Sequence, residues 1–271
     1  MTVSVQNVRP ATLAGKFYPA QPAQLEHMVQ GFLQNAQPDS SGDPKAVIAP
    51  HAGYIFSGPI AGSAFRTWVD QRPTIRRIVL LGPSHFVDFP GIALPDTAAF
   101  ATPFGAVGID SDAVEQIRSF PSVHEFPPAH EREHCLEVEL PFLQQTLSDF
   151  TIVPLVIGEA SDEEVREVIE ALWGGEETRF VLSSDLSHYH NYETARRIDR
   201  ATANSIEGSR AHELSGNEAC GYLGIRGFLK AAQARGLTAQ TIDLRNSGDT
   251  AGPRDRVVGY GAFAFADTGR S

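Results

Sequence analysis

Residues 47–58 read VIAPHAGYIFSG. Apolar residues run without a polar break into Pro50, and then come His51 and a glycine turn. A continuous apolar run, rather than an alternating one, signals a strand covered on both faces. Such a strand needs a layer of helices on each side. The histidine that follows it has two readings. It is either a structural residue at a strand end, or an imidazole aimed into a cleft. The rest of the sequence has to separate the two.

The same unbroken pattern recurs in RIVLLG (77–82), TIVPLVIG (151–158) and RFVLSS (179–184). GIALP (91–95), AQTIDL (239–244) and RVVGYGAFAF (256–265) add further strand candidates, the last expected to run antiparallel. Amphipathic segments lie between them. GPIAGSAFRTWV is expected to be a helix capped by Ser57, with Pro59 in its first turn. SDAVEQIRSF and SDEEVREVIEALWGG open on Ser-Asp with acids in the first turn, the second ending on Gly174. YETARRIDRATANSIEG and GYLGIRGFLKAAQARG read as two more helices. Alternating strands and helices indicate a three-layer α/β fold with a mostly parallel or mixed central sheet. The chain has 271 residues and no internal linker, so one domain over 1–271 is expected.

Composition narrows the partners. The net charge is -11 and the basic residues are scattered, which argues against nucleic acid and anionic membrane. No apolar run is long enough to span a bilayer. The N-terminal residues lack the regions of a signal peptide. Two cysteines, Cys135 and Cys220, are too few for a disulfide scaffold and read as buried small residues. A cytoplasmic location is expected.

In open α/β sheets, ligands bind at the carboxyl ends of the strands. Four candidate strands deliver His or Asp there: His51; His85 in GPSH; Asp185, His188 and His190 in SSDLSHYH; and Asp249 in RNSGDT. Singly, each has a structural reading, as a turn residue or a helix cap, and His190 reads as surface. His27, His124, His130 and His212 fall in helices and loops and are taken as structural. Together, two imidazoles and a carboxylate form the facial donor set of non-haem Fe(II), and they also accept Zn(II) or Cu(II). Asp185 and His188 are candidates for ligand orientation or acid–base work. In EREHCLEVELPFLQQ, His134 and Glu137 are three apart, which places them near one face of an expected helix. That helix either lines the same cleft, giving His134 an acid–base role, or is simply packed.

The chain resembles the Memo family, including the prokaryotic members labelled AmmeMemoRadiSam system protein B. The resemblance rests on RPATLAGKFYPAQPAQLEHM, APHAGYIFSGPIAG, LLGPSH, EHCLEVELPFLQ, IVPLVIG, SSDLSHY, ACGYLGI and NSGDTAG…VVGYGAFAF, in that order. It implies a fold similar to that of the LigB-type (class III) extradiol dioxygenases, with metal-binding histidines at His51 and His85 and with Asp185 and His188 nearby. In eukaryotic Memo a cysteine near the segment matching RNSGDTAG supplies the third ligand. Here Asp249 or Thr250 stands there, which implies a harder set of His51, His85 and Asp249 and favours Fe(II). The family name implies a pathway shared with an Ammecr-type protein and a radical SAM enzyme. Three functions are expected to compete. They are a dioxygenase-like oxidoreductase, a metal-dependent hydrolase, and a non-catalytic protein that binds a small molecule or peptide.

Overall fold

The computed structural model describes residues 8–36 and 42–267. In chain order the elements are β1 (Val8–Arg9), α1 (Pro22–Gln34), β2 (Ala46–Ala49), α2 (Tyr54–Arg66), β3 (Arg77–Pro83), β4 (Ile92–Leu94), β5 (Ala99–Thr102) and β6 (Gly105–Gly108). Then come α3 (Ser111–Ile117), β7 (Val123–Glu125), α4 (Pro128–Glu131), α5 (Leu140–Thr146), β8 (Thr151–Ile157), α6 (Asp162–Ala171), β9 (Thr178–Ser183) and β10 (His188–His190). The last are α7 (Tyr192–Glu207), α8 (Tyr222–Gln233), β11 (Leu237–Asn246) and β12 (Val257–Asp267).

The large sheet runs β10-β12-β2-β9-β3-β8-β4-β7, with β11 on β12, and a small sheet joins β1, β5 and β6. Its centre is parallel. β2 pairs β9 from Ala46↔Phe180 to Ala49↔Ser183, and β3 pairs both β9 and β8. β12 runs antiparallel to β2, β10 and β11, as its sequence suggested.

The unbroken apolar runs are buried on both faces. Side chains alternate along a strand with period two. Val47, Ala49, Ile78, Leu80 and Val181 therefore join one core with α1, α2 and α5. Ala46, Ile48, Val79, Leu81, Phe180 and Leu182 join the other with α3, α6, α7 and α8. In α6, the spacing of Val165, Val168 and Ile169 buries one face. Each such side chain contributes about 1.5–3 kcal/mol. The Ser161 capping box with Glu164 fixes where that helix begins. The α1–α2 approach needs glycine: a Cβ on Gly62 would sit 2.8 Å from the Phe32 carbonyl oxygen.

Three helix boundaries differ from expectation. α2 starts at Tyr54 with Gly53 as its cap, so Ser57 lies inside it and bonds the Ala52 carbonyl (2.8 Å). The link from β2 is thus shorter than expected, and the helix begins almost at His51. α6 ends at Ala171, and Gly174 serves the following turn with φ 57°. The expected helix around His134 is broken: Glu137–Glu139 form a 3-10 turn and α5 begins only at Leu140, with Pro141 in its first turn. His134 and Glu137 therefore share no helix face.

Glu137 does something else. It is fully buried and paired with Arg9 at 2.6 Å. It also accepts from the Thr12 and Leu13 amides and the Tyr18 hydroxyl (3.1, 2.8 and 2.6 Å). This carboxylate binds the N-terminal segment to the body. Removing one partner of a buried pair strands the other. Arg9→Met should therefore cost about 3 kcal/mol, read as a lower midpoint in urea unfolding.

His130 gives a pH signature. It is buried, with Nε2 2.9 Å from the Ala93 carbonyl. Burial lowers its pKa to about 4 from 6.5. A histidine with a depressed folded pKa stabilises the fold above the unfolded value and loses that contribution as pH falls. Stability should drop on the order of 3 kcal/mol between pH 6.5 and 4 from this residue. Urea unfolding of wild type and His130→Gln across that range checks the difference in slope.

Candidate metal centre

Parallel pairing brings three strand ends to one edge of the sheet. β2, β9 and β3 are neighbours in the sheet. Their chain continuations carry His51, Asp185 and His85. His134 arrives separately, on the turn between α4 and the 3-10 turn. His51, His85 and His134 form a group whose candidate ligand atoms all lie within 4.8 Å of one another. The ring centroids of His51 are 5.1 Å from those of His85 and 5.3 Å from those of His134, and the latter two are 4.4 Å apart. Bonds of about 2 Å to a shared ion are compatible with that spacing.

Glu133 holds two of the three in place. Its carboxylate accepts from His85 Nδ1 (2.8 Å) and from the amides of His85, His134 and Cys135 (2.7, 2.9 and 3.1 Å). Burial alone would raise its pKa. The contacts with His134 and His85 outweigh that and hold the carboxyl well below its usual range. His134 Nδ1 lies 3.2 Å from the same carboxylate but is misaligned, so this buried nitrogen has no hydrogen-bond partner.

His51 is buried, and that burial, with His85 next, pushes its pKa well below normal. It therefore stays neutral, the form that ligates. Its Nδ1 lies 2.8 Å from Ser183 Oγ and its Nε2 3.3 Å from Cys220 Sγ. Asp185 accepts from the His51 amide (2.9 Å), and burial raises its pKa. His188 is half-buried at the start of β10 and is electrostatically coupled to both Asp185 and His51. His190 is exposed, as expected. Cys220 is a correction to its reading as a mere core residue. Its thiol, pushed up to about 12 by burial, borders the site.

Asp249 is not in this group. Its oxygens bond the Tyr192 hydroxyl (2.5 Å) and the Asn246 amide (3.0 Å). The reason is lateral. Asp249 follows β11, which is separated from β2 by β12. At a strand spacing of about 4.8 Å, that offset is roughly 10 Å. The third imidazole, His134, stands with His51 and His85 where a carboxylate was expected.

Sequence reasoning missed Glu133 and Cys220. The signal for Glu133 was present, since an acid directly precedes His134 in EREHC. Cys220 carried none.

Exposed aromatic residues flank the centre. Phe86 (49% exposed) lies 5.9 Å from the His134 ring and beneath the Arg132 guanidinium, and Tyr189 (62%) lies 5.7 Å from His188 and beneath Arg256. Tyr189 has φ 63°, uncommon for a bulky side chain. Among the described residues no helix is long and apolar enough to cross a membrane.

Comparison with known proteins agrees with this frame. The Memo-like protein family matches residues 9–264. A MEMO1 family protein of Archaeoglobus fulgidus is 33% identical over 275 residues, covering 95% of this chain and 99% of its own. Those of Aquifex aeolicus and Nitrosopumilus maritimus are 32% and 30% identical, with the same coverage of both chains. Matched by the family over residues 9–264 and 30–33% identical to these relatives over 95% of its length, the chain belongs to the Memo family.

Proposed function

We propose that His51, His85 and His134 hold one divalent metal, and that the site acts on a small oxygen-bearing ligand as a dioxygenase-like oxidoreductase. The convergence of three imidazoles within 4.8 Å carries this reading. Imidazole donors suit Fe(II), Zn(II) and Cu(II), and we take Fe(II) as the working metal. Bound, it would supply a Lewis acid and redox centre. The protein's own residues supply the rest. Asp185 and His188 sit beside the histidines to accept or give a proton to a ligand hydroxyl. Phe86, beside the His134 ring, and Tyr189, beside His188, are exposed aromatic rings against which an apolar or aromatic ligand body would pack. Glu133 keeps His85 Nδ1 and the 133–135 turn from drifting.

One observation favours a second reading. With His134 in place of Asp249, the donors are three imidazoles, a set also used by zinc sites that activate water. Under that reading the chain is a metal-dependent hydrolase.

Anaerobic purification, metal analysis and oxygen uptake with a panel of catechols separate the two. The oxidoreductase reading expects bound iron and oxygen consumption that stops on chelation. Bound zinc, no oxygen uptake and metal-dependent ester hydrolysis would replace it with the second.

The ligand set has its own test. His134→Ala should lower metal affinity at least about tenfold, while Asp249→Ala should retain wild-type occupancy. Metal content after dialysis, with circular dichroism to check folding, reads both. The opposite pattern would return the third position to Asp249.

A further inference from the structure

Ser183 Oγ has three close partners: the Cys135 carbonyl oxygen at 2.7 Å, Glu139 Oε1 at 2.8 Å and His51 Nδ1 at 2.8 Å. A serine hydroxyl has one proton and two lone pairs. The Cys135 carbonyl can only accept, so it takes the Ser183 proton. The other two partners must then donate to Ser183. His51 can do so only as Nδ1–H. Glu139 can do so only if Oε1 carries a proton. We infer that Glu139 is a neutral carboxylic acid and a positioning residue: by donating to Ser183 it leaves the serine proton to the Cys135 carbonyl and fixes the hydroxyl whose lone pair receives His51 Nδ1–H, so that the His51 Nε2 lone pair is turned to the metal site. The metal part of this inference rests on the proposed function above.

The surroundings of Glu139 support it independently. The residue is fully buried, and its Oε2 has no hydrogen-bond partner. Among the described residues no cation pairs with it, whereas buried Glu137 has Arg9. The charge that acts on it is that of Asp185, of like sign, and burial drives the acid strongly towards its protonated form. An ionised carboxylate here would leave a bare anionic oxygen in a dry interior, which is far costlier than an unpaired carbonyl oxygen. The other end of the chain agrees. His51 Nε2 lies 3.3 Å from Cys220 Sγ, a contact that the Nδ1–H tautomer satisfies with the thiol donating to the Nε2 lone pair. The unbroken path is therefore Glu139 Oε1–H to Ser183 Oγ, with His51 Nδ1–H converging on the same oxygen.

Two measurements test this. The first is a difference infrared spectrum of wild type against Glu139→Gln at neutral pH. It should show loss of a protonated-carboxyl C=O stretch and no loss of carboxylate bands. A lost carboxylate band instead overturns the inference. The second is affinity for Zn(II) and Co(II), measured by competition with a chromophoric chelator. Glu139→Gln keeps an N–H to give Ser183 and should bind within about threefold of wild type. Glu139→Leu cannot donate and should lose about 10- to 100-fold, with a changed visible spectrum of bound Co(II). Ser183→Ala removes the middle link and should lose a similar amount, which covers the case where the leucine variant does not fold. A glutamine variant as weak as the leucine one would overturn the positioning role. If wild type bound neither metal, the proposed function would fail, and the infrared result would still decide the protonation of Glu139.

Discussion

The candidate site depends on one carboxylate. Glu133 is 3% exposed and accepts from three backbone amides and one ring nitrogen across two separate loops. No arginine or lysine is paired with it in the structure described. Its charge is instead balanced by oriented N–H groups, which cost little reorganisation because the backbone already fixes them. The parallel sheet can align His51, His85 and Asp185 by itself. It cannot bring in His134, which sits on no strand. The Glu133 contacts join the 83–85 and 133–135 turns and complete the triad. A second buried carboxylate, Glu137, then anchors the N-terminal segment to the same region.

Three nearby acids on one short stretch thus have three different fates. Glu133 is held ionised by N–H donors, Glu137 is neutralised by Arg9, and Glu139 faces only hydroxyl and like charge. Glu133 lies in the loop four residues before Glu137, and Glu137 and Glu139 lie two apart on the 3-10 turn, so this path, unlike an α-helix, sends each into a different environment. An α-helix would have placed them around one cylinder and left at least one in water.

Much of the fold was legible because burial on both faces leaves a strong mark. Val47–Ala49, Ile78–Leu81 and Phe180–Leu182 have no polar residue to place against solvent, and each proved to be a central strand. The parallel centre then made His51, His85 and Asp185 readable as neighbours from strand-end position alone. What failed was whatever depends on lateral order or on a broken helix. Asp249 also follows a strand, but no pattern in β11 tells that β12 separates it from β2. The helical spacing of Leu140, Leu143 and Leu147 suggests a helix that reaches back to His134. That spacing starts only at Leu140, and the residues before it turn too tightly to continue it. The short strands β5, β6 and β7 carry too few residues for any period to emerge.

The sheet registers also bear on how the molecule can assemble in time. Ala46 pairs with Phe180, and Ile48 with Phe263. The strand that delivers His51 therefore gains its two neighbours only after most of the chain is available. Contacts this distant in sequence must first overcome a large loop-closure entropy, and topologies dominated by them fold slowly. During synthesis, an emerging β2 would present an apolar strand with both edges open, a condition in which aggregation competes with folding. The centre that gathers the histidines is thus a late product of folding. A metal ion held there would retain the finished architecture and would not be the seed around which the chain first condenses.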